Sequence, residues 1–314
     1  MNKKTIITLI FALASISANA QFFFRISGKK LKEPSYILGS VHTLPGTLLD
    51  SVPEYLKAEA KCQQLYAEFD ISSQQKLSEA QAAGQQALAL PEGKTIFDLM
   101  SKEQIEVLNT RFNETFHVNY TDSMMKALWN YQPIMLLSTF NLIITTQEMQ
   151  KHPELATTST PIDMYCINRA KERNIKIGQL DEIQPQDSLT KMRNTMNENL
   201  NSQVDSLMSF LNDFDQRKQR IIDEIQSVVQ SAQYWREGDY NSFAQSPFWL
   251  KEIDKQSDLF KARNKKWLPK LEAAMGEAPT MFVFGAGHLI GINGVLQLLS
   301  DAGYKVEQIR HPHS

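Results

Sequence analysis

Cysteine is scarce: there are two in 314 residues. That excludes a disulfide-stapled scaffold and a cysteine-built zinc site. An excess of charge of one sign is missing too. The chain holds 33 Lys and Arg against 35 Asp and Glu, a net charge of −2. Phosphate recognition needs a basic surface, so nucleic acid is not an expected partner. Long hydrophobic runs are confined to the N-terminus. The best candidate elsewhere, residues 133–144, is too short for a bilayer and carries Ser138, Thr139 and Asn141; it reads as a buried helix. There is no HExxH helix, no GxSxG elbow and no Walker loop. Gly285-Ala286-Gly287 lacks the third glycine of a dinucleotide fingerprint. What is left is an ordinary globular composition, 42% hydrophobic and 22% charged. The length suits one large domain or two smaller ones.

The first twenty residues have the pattern of a secretory signal. Lys3 and Lys4 precede an apolar run over residues 5–17, and Ala18-Asn19-Ala20 fits a small-x-small cleavage site. Cleavage after Ala20 is the expectation, with an uncleaved signal anchor as the alternative. No cysteine follows the site, so a lipoprotein anchor is not expected. Removing Lys3 and Lys4 leaves the mature chain, residues 21–314, at −4. The expected location is exported, periplasmic or secreted, with no integral membrane span after cleavage. Cys62 and Cys166 are read as two separate buried thiols, with pairing as the alternative.

Apolar alternation and turn residues predict strands over 22–26, 35–41 and 65–69, with a helix over 52–62 between the last two. Strand, helix and strand in that order point to an α/β sheet. The middle reads as helical: 72–90, 95–113, 122–149 with a kink or break near Pro133, 161–173, and a long apolar stripe from Leu200 to Val228. A short strand is expected over 175–180. The end returns to α/β, with a strand over 280–284, a helix over 293–302 stopped by Gly303, and a strand over 305–309. Met124, Met125 and Met135 are assigned to core packing in the central helix, as are Trp129, Trp235 and Trp267.

Two of the six histidines stand at the exit of a predicted buried strand. They are His42 in Gly39-Ser40-Val41-His42 and His288 in Gly285-Ala286-Gly287-His288. Ligands in open α/β sheets bind at the carboxyl ends of strands. A glycine three residues earlier allows close backbone approach. Glu68 sits near the end of the next predicted strand, in Tyr66-Ala67-Glu68-Phe69-Asp70. If these strands are neighbours, two imidazoles and a carboxylate converge, a donor set for a divalent metal with open positions. Imidazole and carboxylate suit Mn, Co and Zn alike. Structural, hydrogen-bonded histidines are the other reading of the same letters. His117 and His152, and His311 and His313 in the tail, carry no such signal.

The ordered set of segments resembles the TraB/PrgY/GumN family, which includes the Tiki proteases. The carriers are YILGSVHTLP (36–45), LYAEFD (65–70), LPEGKTIFDLMSKEQ (90–104), PIDMYCINRAKERNIKIGQLDEIQPQ (161–186), YWREGDY (234–240), ARNKKWLPKL (262–271) and FVFGAGHLIGINGVLQLLSDAGYKV (282–306). The resemblance implies an α/β (α+β), erythromycin-esterase/ChaN-like fold. It would have a mixed central β-sheet with two Gly-x-x-His strand ends, as a single domain over 21–314 with a helical insert over about 72–233. It implies a divalent metal held by His42, His288 and Glu68. The catalytic set would include Glu68 with the matching pair Arg263 and Asn264. An ion pair within the fold is the other reading of Arg263, and a helix cap that of Asn264. The family commonly has Leu-Glu where this chain has Leu180-Asp181. The implied activity is an exported metal-dependent hydrolase, protease-like, acting on a peptide or protein substrate. The alternatives are a non-catalytic peptide- or haem-binding protein of the same fold, for which a homodimer would be a natural partner state, and a structural protein with a vestigial site.

Overall fold

The structure is a computed structural model and describes residues 22–69, 88–155, 159–181, 200–255 and 257–309. The predicted signal segment and most of the predicted helix over 72–90 lie outside the described residues. So do His311 and His313.

A six-stranded mixed sheet organises the chain in the order β4-β3-β5-β2-β1-β6. Its two central strands, β2 (Ser35–Ser40) and β5 (Thr280–Gly285), are buried at every position. Strands covered on both faces read as continuous apolar runs, and SYILGS and TMFVFG are such runs. They pair in parallel, with Ser40 opposite Gly285. β3 (Gln64–Ala67) lies parallel on the other side of β5, with Ala67 opposite Val283. β4 (Lys176–Gln179) adds a further parallel strand beside β3. β1 (Phe23–Ser27) and β6 (Lys305–Gln308) close the other side antiparallel. The carboxyl ends of β2, β5 and β3 therefore point the same way and share one edge, which is the condition the two Gly-x-x-His segments required.

Helices cover the sheet and build a second layer. α1 (Pro53–Lys61) links β2 to β3 and begins with its proline, whose missing N–H costs nothing there. α2 (Lys102–Phe116) starts later than the predicted position 95. Ser101 and Gln104 form a reciprocal capping box that sets the start, and a separate turn precedes it at Ile96–Asp98. The predicted helix over 122–149 is broken outright. A turn at Ser123–Met125 runs into the single turn α3 (Lys126–Trp129), and Pro133 opens the new helix α4 (Pro133–Met149). Met124 and Met125 thus sit in the turn and not in the helix. Met124 is 68% exposed, which corrects its assignment to the core; Met125 packs against the helical cluster. α4 is half-buried instead of wholly buried. Leu136, Phe140 and Ile144 face inward, while Leu142 is 64% exposed. Among the described residues no helix is long and apolar enough to cross a membrane.

α5 (Ile162–Glu172) leads into β4. The long stripe from Leu200 onward forms two helices, α6 (Leu200–Asn212) and α7 (Phe214–Glu237), the latter stopped by Gly238 at φ 73°. α8 (Tyr240–Ala244), α9 (Pro247–Lys255), α10 (Ser257–Glu277) and α11 (Val295–Asp301) complete the chain. Two apolar clusters result. One joins the sheet to α1, α5, α10 and α11; the other is built mainly from α2, α4 and α6. Trp235 and Trp267 are fully buried in the first. Cys62 and Cys166 are free, buried thiols, and burial pushes the Cys62 thiol up to about 12.

Candidate active site

The Gly-x-x-His glycines serve close packing. A Cβ on Gly39 would lie 2.5 Å from Cδ1 of Leu289, and one on Gly285 would lie 2.9 Å from Nε2 of His42. β2 and β5 thus carry their histidines to the edge only because neither glycine has a side chain. His42 leaves β2 with its side chain 62% exposed. His288 lies in a tight helical turn, Ala286–Leu289, and is buried.

Each ring is held from behind through Nδ1. Nδ1 of His42 lies 2.7 Å from Oδ2 of Asp163, and Ser40 donates to the other oxygen of Asp163 at 2.6 Å. Asp163 sits in the first turn of α5, where the helix dipole favours a carboxylate. The start of α5 is tied to the loop after His42: Ile162 N–H donates to the Leu44 carbonyl at 3.1 Å, and Gly46 N–H to that of Thr160 at 2.8 Å. Nδ1 of His288 lies 2.6 Å from Oδ1 of Asn264. The amide nitrogen of Asn264 donates to the carbonyls of His288 and Asn293 at 3.3 and 2.8 Å. Asn264 stands inside α10, away from its ends, and works as a brace for His288; it is not a helix cap.

The two imidazoles have opposite electrostatics. The hydrogen bond to Asp163 raises the pKa of His42 above its ordinary value. His288 packs against Trp267, with ring centres 4.2 Å apart, and edge-on against Phe260 at 4.7 Å. Burial, with the positive charge of Arg263 and His42 nearby, pushes it down to about 3, so it is neutral at pH 7.

Glu68 follows β3 directly. Arg263 of α10 donates to Oε1 of Glu68, while the backbone N–H of Gly285 approaches Oε2 at 3.5 Å. The same guanidinium reaches Asp181 through Nε at 2.7 Å. Trp267 donates its indole N–H to the other oxygen of Asp181 at 2.7 Å, and the Asp181 N–H bonds back to the Glu68 carbonyl at 2.9 Å. Arg263 is therefore an ion pair of the fold and a wall of the site at once. Asp181, despite its shorter reach, makes a full set of contacts.

His42, Glu68, Arg263 and His288 all line one cavity of about 290 Å³, closed on the far side by Trp249 and Phe260. The four residues read from sequence thus meet, and Asn264 stands behind them. Asp163 was missed. It lies 121 residues from His42 in the chain, and its one local mark is an acidic residue in a helix's first turn. His117 closes α2 in a left-handed conformation, and His152 bonds Glu154 at 3.2 Å. Neither belongs to the site.

The donor chemistry of the two rings fits a divalent cation. Each Nδ1 is occupied by an oxygen acceptor, which leaves Nε2 as the coordinating nitrogen, the usual arrangement of metal-binding histidines. Glu68 fits with one oxygen, Oε2, because Arg263 takes the other. As placed, no group of three or more His, Cys, Asp and Glu side chains among the described residues is disposed to hold a metal ion.

A mixed α/β sheet with two Gly-x-x-His strand ends, a glutamate between them and an arginine across the cavity defines a class of protein. Residues 22–308 match the model of the TraB/PrgY/gumN family, and the chain belongs to that family. The comparison with curated proteins and the comparison with solved structures each returned no match.

Proposed function

We propose that this protein is an exported, metal-dependent hydrolase of peptide or protein substrates. The observation that carries the reading is the pair of imidazoles braced through Nδ1, by Asp163 and by Asn264, around one cavity that also holds Glu68. His42 and His288 would hold the cation through Nε2, with Glu68 as the carboxylate donor. A bound divalent cation lowers the pKa of a water and polarises a carbonyl. The chain's own groups do the rest. Asp163 and Asn264 keep the two rings in one tautomer and orientation. Where Glu68 does not complete the coordination, it would take the proton of a nucleophilic water instead. Arg263 holds Glu68 in place and offers positive charge where an oxyanion would develop. Trp249 and Phe260 narrow the cavity and limit water. A volume of about 290 Å³ sits at the small end of ligand pockets and suits part of a peptide better than a haem macrocycle.

The grip of Arg263 on Glu68 supports a second reading, hydrolysis without a metal, in which the His42–Asp163 pair takes the proton of water. One experiment separates the two. Metal content of residues 21–314 is measured by mass spectrometry after mild loading with Mn, Co or Zn, beside a His42→Ala/His288→Ala variant. About one metal per parent chain and none in the variant supports the metal-dependent reading. Equal content in both removes it. Peptide cleavage that survives chelation then supports the metal-free reading.

A further inference from the structure

A second cavity adjoins the first at His42 and Glu68. Its volume is about 390 Å³, and it shares His42 and Glu68 with the site while the rest of its wall comes from other residues. Ala67, Phe69, Pro161, Met164 and Ile167 supply that wall, and beyond His42 and Glu68 its only other charged residue is Asp163. Both oxygens of Asp163 are already engaged, by Ser40 and by His42. Beyond His42 and Glu68, the described wall therefore offers an incoming group mainly apolar surface. Phe69 is 37% exposed. One face of it carries the Arg263 guanidinium, 5.8 Å from the ring centre, so the ring is held in place by a residue of the site itself.

The geometry follows from the fold. Ala67, Glu68 and Phe69 are consecutive, with Ala67 ending β3. Pro161, Asp163, Met164 and Ile167 come from the start of α5, and Met164 and Ile167, three apart, share one helix face. The hydrogen bond from His42 to Asp163 brings these two elements against the site. Any group bound at His42 and Glu68 thus has the Trp249 and Phe260 rings in one adjoining space and Phe69, Met164 and Ile167 in the other.

We infer that the apolar cavity is a specificity pocket: it takes a large apolar side chain of the substrate, of the Leu, Met or Phe type, beside the bond held at His42 and Glu68. The occupant follows from continuity with the site and from the apolar wall. A charged side chain lying against Phe69, Met164 and Ile167 would lose water there, whereas an apolar one gains by leaving water. Ligand sites combine such an apolar surface with a few convergent polar groups in this way.

This inference rests on the hydrolase reading for its biological meaning, but the pocket can be tested without turnover. The protein, residues 21–314, is prepared with 13C-methyl methionine, and the Met164 signal is identified by its loss in Met164→Leu. N-acetylphenylalaninamide and N-acetylleucinamide are titrated against N-acetylglycinamide. The expected result is a saturable shift of the Met164 methyl with the first two and none with the glycine compound. Binding in Phe69→Ser, an exposed position that tolerates change, should weaken about tenfold or more. A silent Met164 methyl under saturating phenylalanine amide overturns the inference. So does an equal response to the glycine compound. A mixed peptide library digested in parallel separates the two claims. Cleavage with no apolar preference at any position overturns the pocket and leaves the hydrolase. A responsive Met164 methyl with no cleavage leaves the pocket and counts against the hydrolase.

Discussion

Asp163 holds His42 at 2.7 Å across 121 residues of chain, while the same carboxylate accepts the Ser40 hydroxyl at 2.6 Å. One side chain from the first turn of a helix thereby fixes the ring that ends a strand. The ring's tautomer, its orientation and its raised pKa all come from that contact.

Replacing Asp163 with Asn should weaken divalent-metal binding about 10- to 100-fold, the range for partners that orient metal-bound histidines. The amide keeps the shape and removes the charge. Titration of the stripped protein with Zn or Co, followed by absorbance or calorimetry, checks this. Unchanged affinity in a folded Asp163→Asn protein would mean that His42 does not bind metal.

Arg263→Ala should destabilise the protein by about 1–3 kcal/mol. Breaking a buried ion pair costs about 3–5 kcal/mol. The smaller figure applies because Arg263, Glu68 and Asp181 each keep roughly a fifth of their side-chain surface in solvent. Arg263→Lys should recover only part of the loss, since an ammonium cannot bridge two carboxylates as a planar guanidinium does. Urea unfolding midpoints measure both.

Stability should fall as pH drops from about 6.5 toward 4.5. The folded-state pKa of His288 is about 3, below the unfolded value of 6.5. In that window the unfolded chain binds a proton that the folded chain refuses, so the slope approaches about 1.4 kcal/mol per pH unit. His42 has the opposite shift. Its stabilisation is complete below pH 6.5 and is lost only as pH rises through its raised folded value, so it adds no slope in this window. Denaturation of the metal-free protein at several pH values should show the slope, and His288→Gln should flatten it.

Gly39→Ala should cost about 1–3 kcal/mol through overpacking, because its Cβ would lie 2.5 Å from Leu289 and 3.3 Å from Ala286. Gly285→Ala should act differently. Its Cβ would meet Nε2 of His42 at 2.9 Å, and that ring is exposed enough to move. Metal affinity should therefore drop more than the unfolding midpoint does. Measuring both quantities on both variants tests the contrast.

Much of the architecture is readable along the chain because it is local. The apolar runs SYILGS and TMFVFG announce central strands, and Gly238 and Gly303 sit where helices stop in left-handed conformations. The errors were also local in kind. Ser101 with Gln104 outcompetes Thr95 as a helix start, whereas the break expected at Pro133 is present. A turn lifts Met124 out of the core.

The meeting of His42, Glu68 and His288 is legible in the sequence because each follows the end of a strand within three residues, and parallel strands put their ends on one edge. Their electrostatics are not. Asp163, Asn264 and Asp181 act on residues 121, 24 and 82 positions away. Hydrophobic periodicity says which face of a helix is buried, but not which residue of another element that face will meet. The order of strands and the glycines at their ends are properties of the sequence. Which imidazole has its pKa raised and which lowered, what Glu68 is tied to and where an apolar cavity opens beside His42 depend on distances across the fold, and those exist only once α5 and α10 have packed onto the sheet.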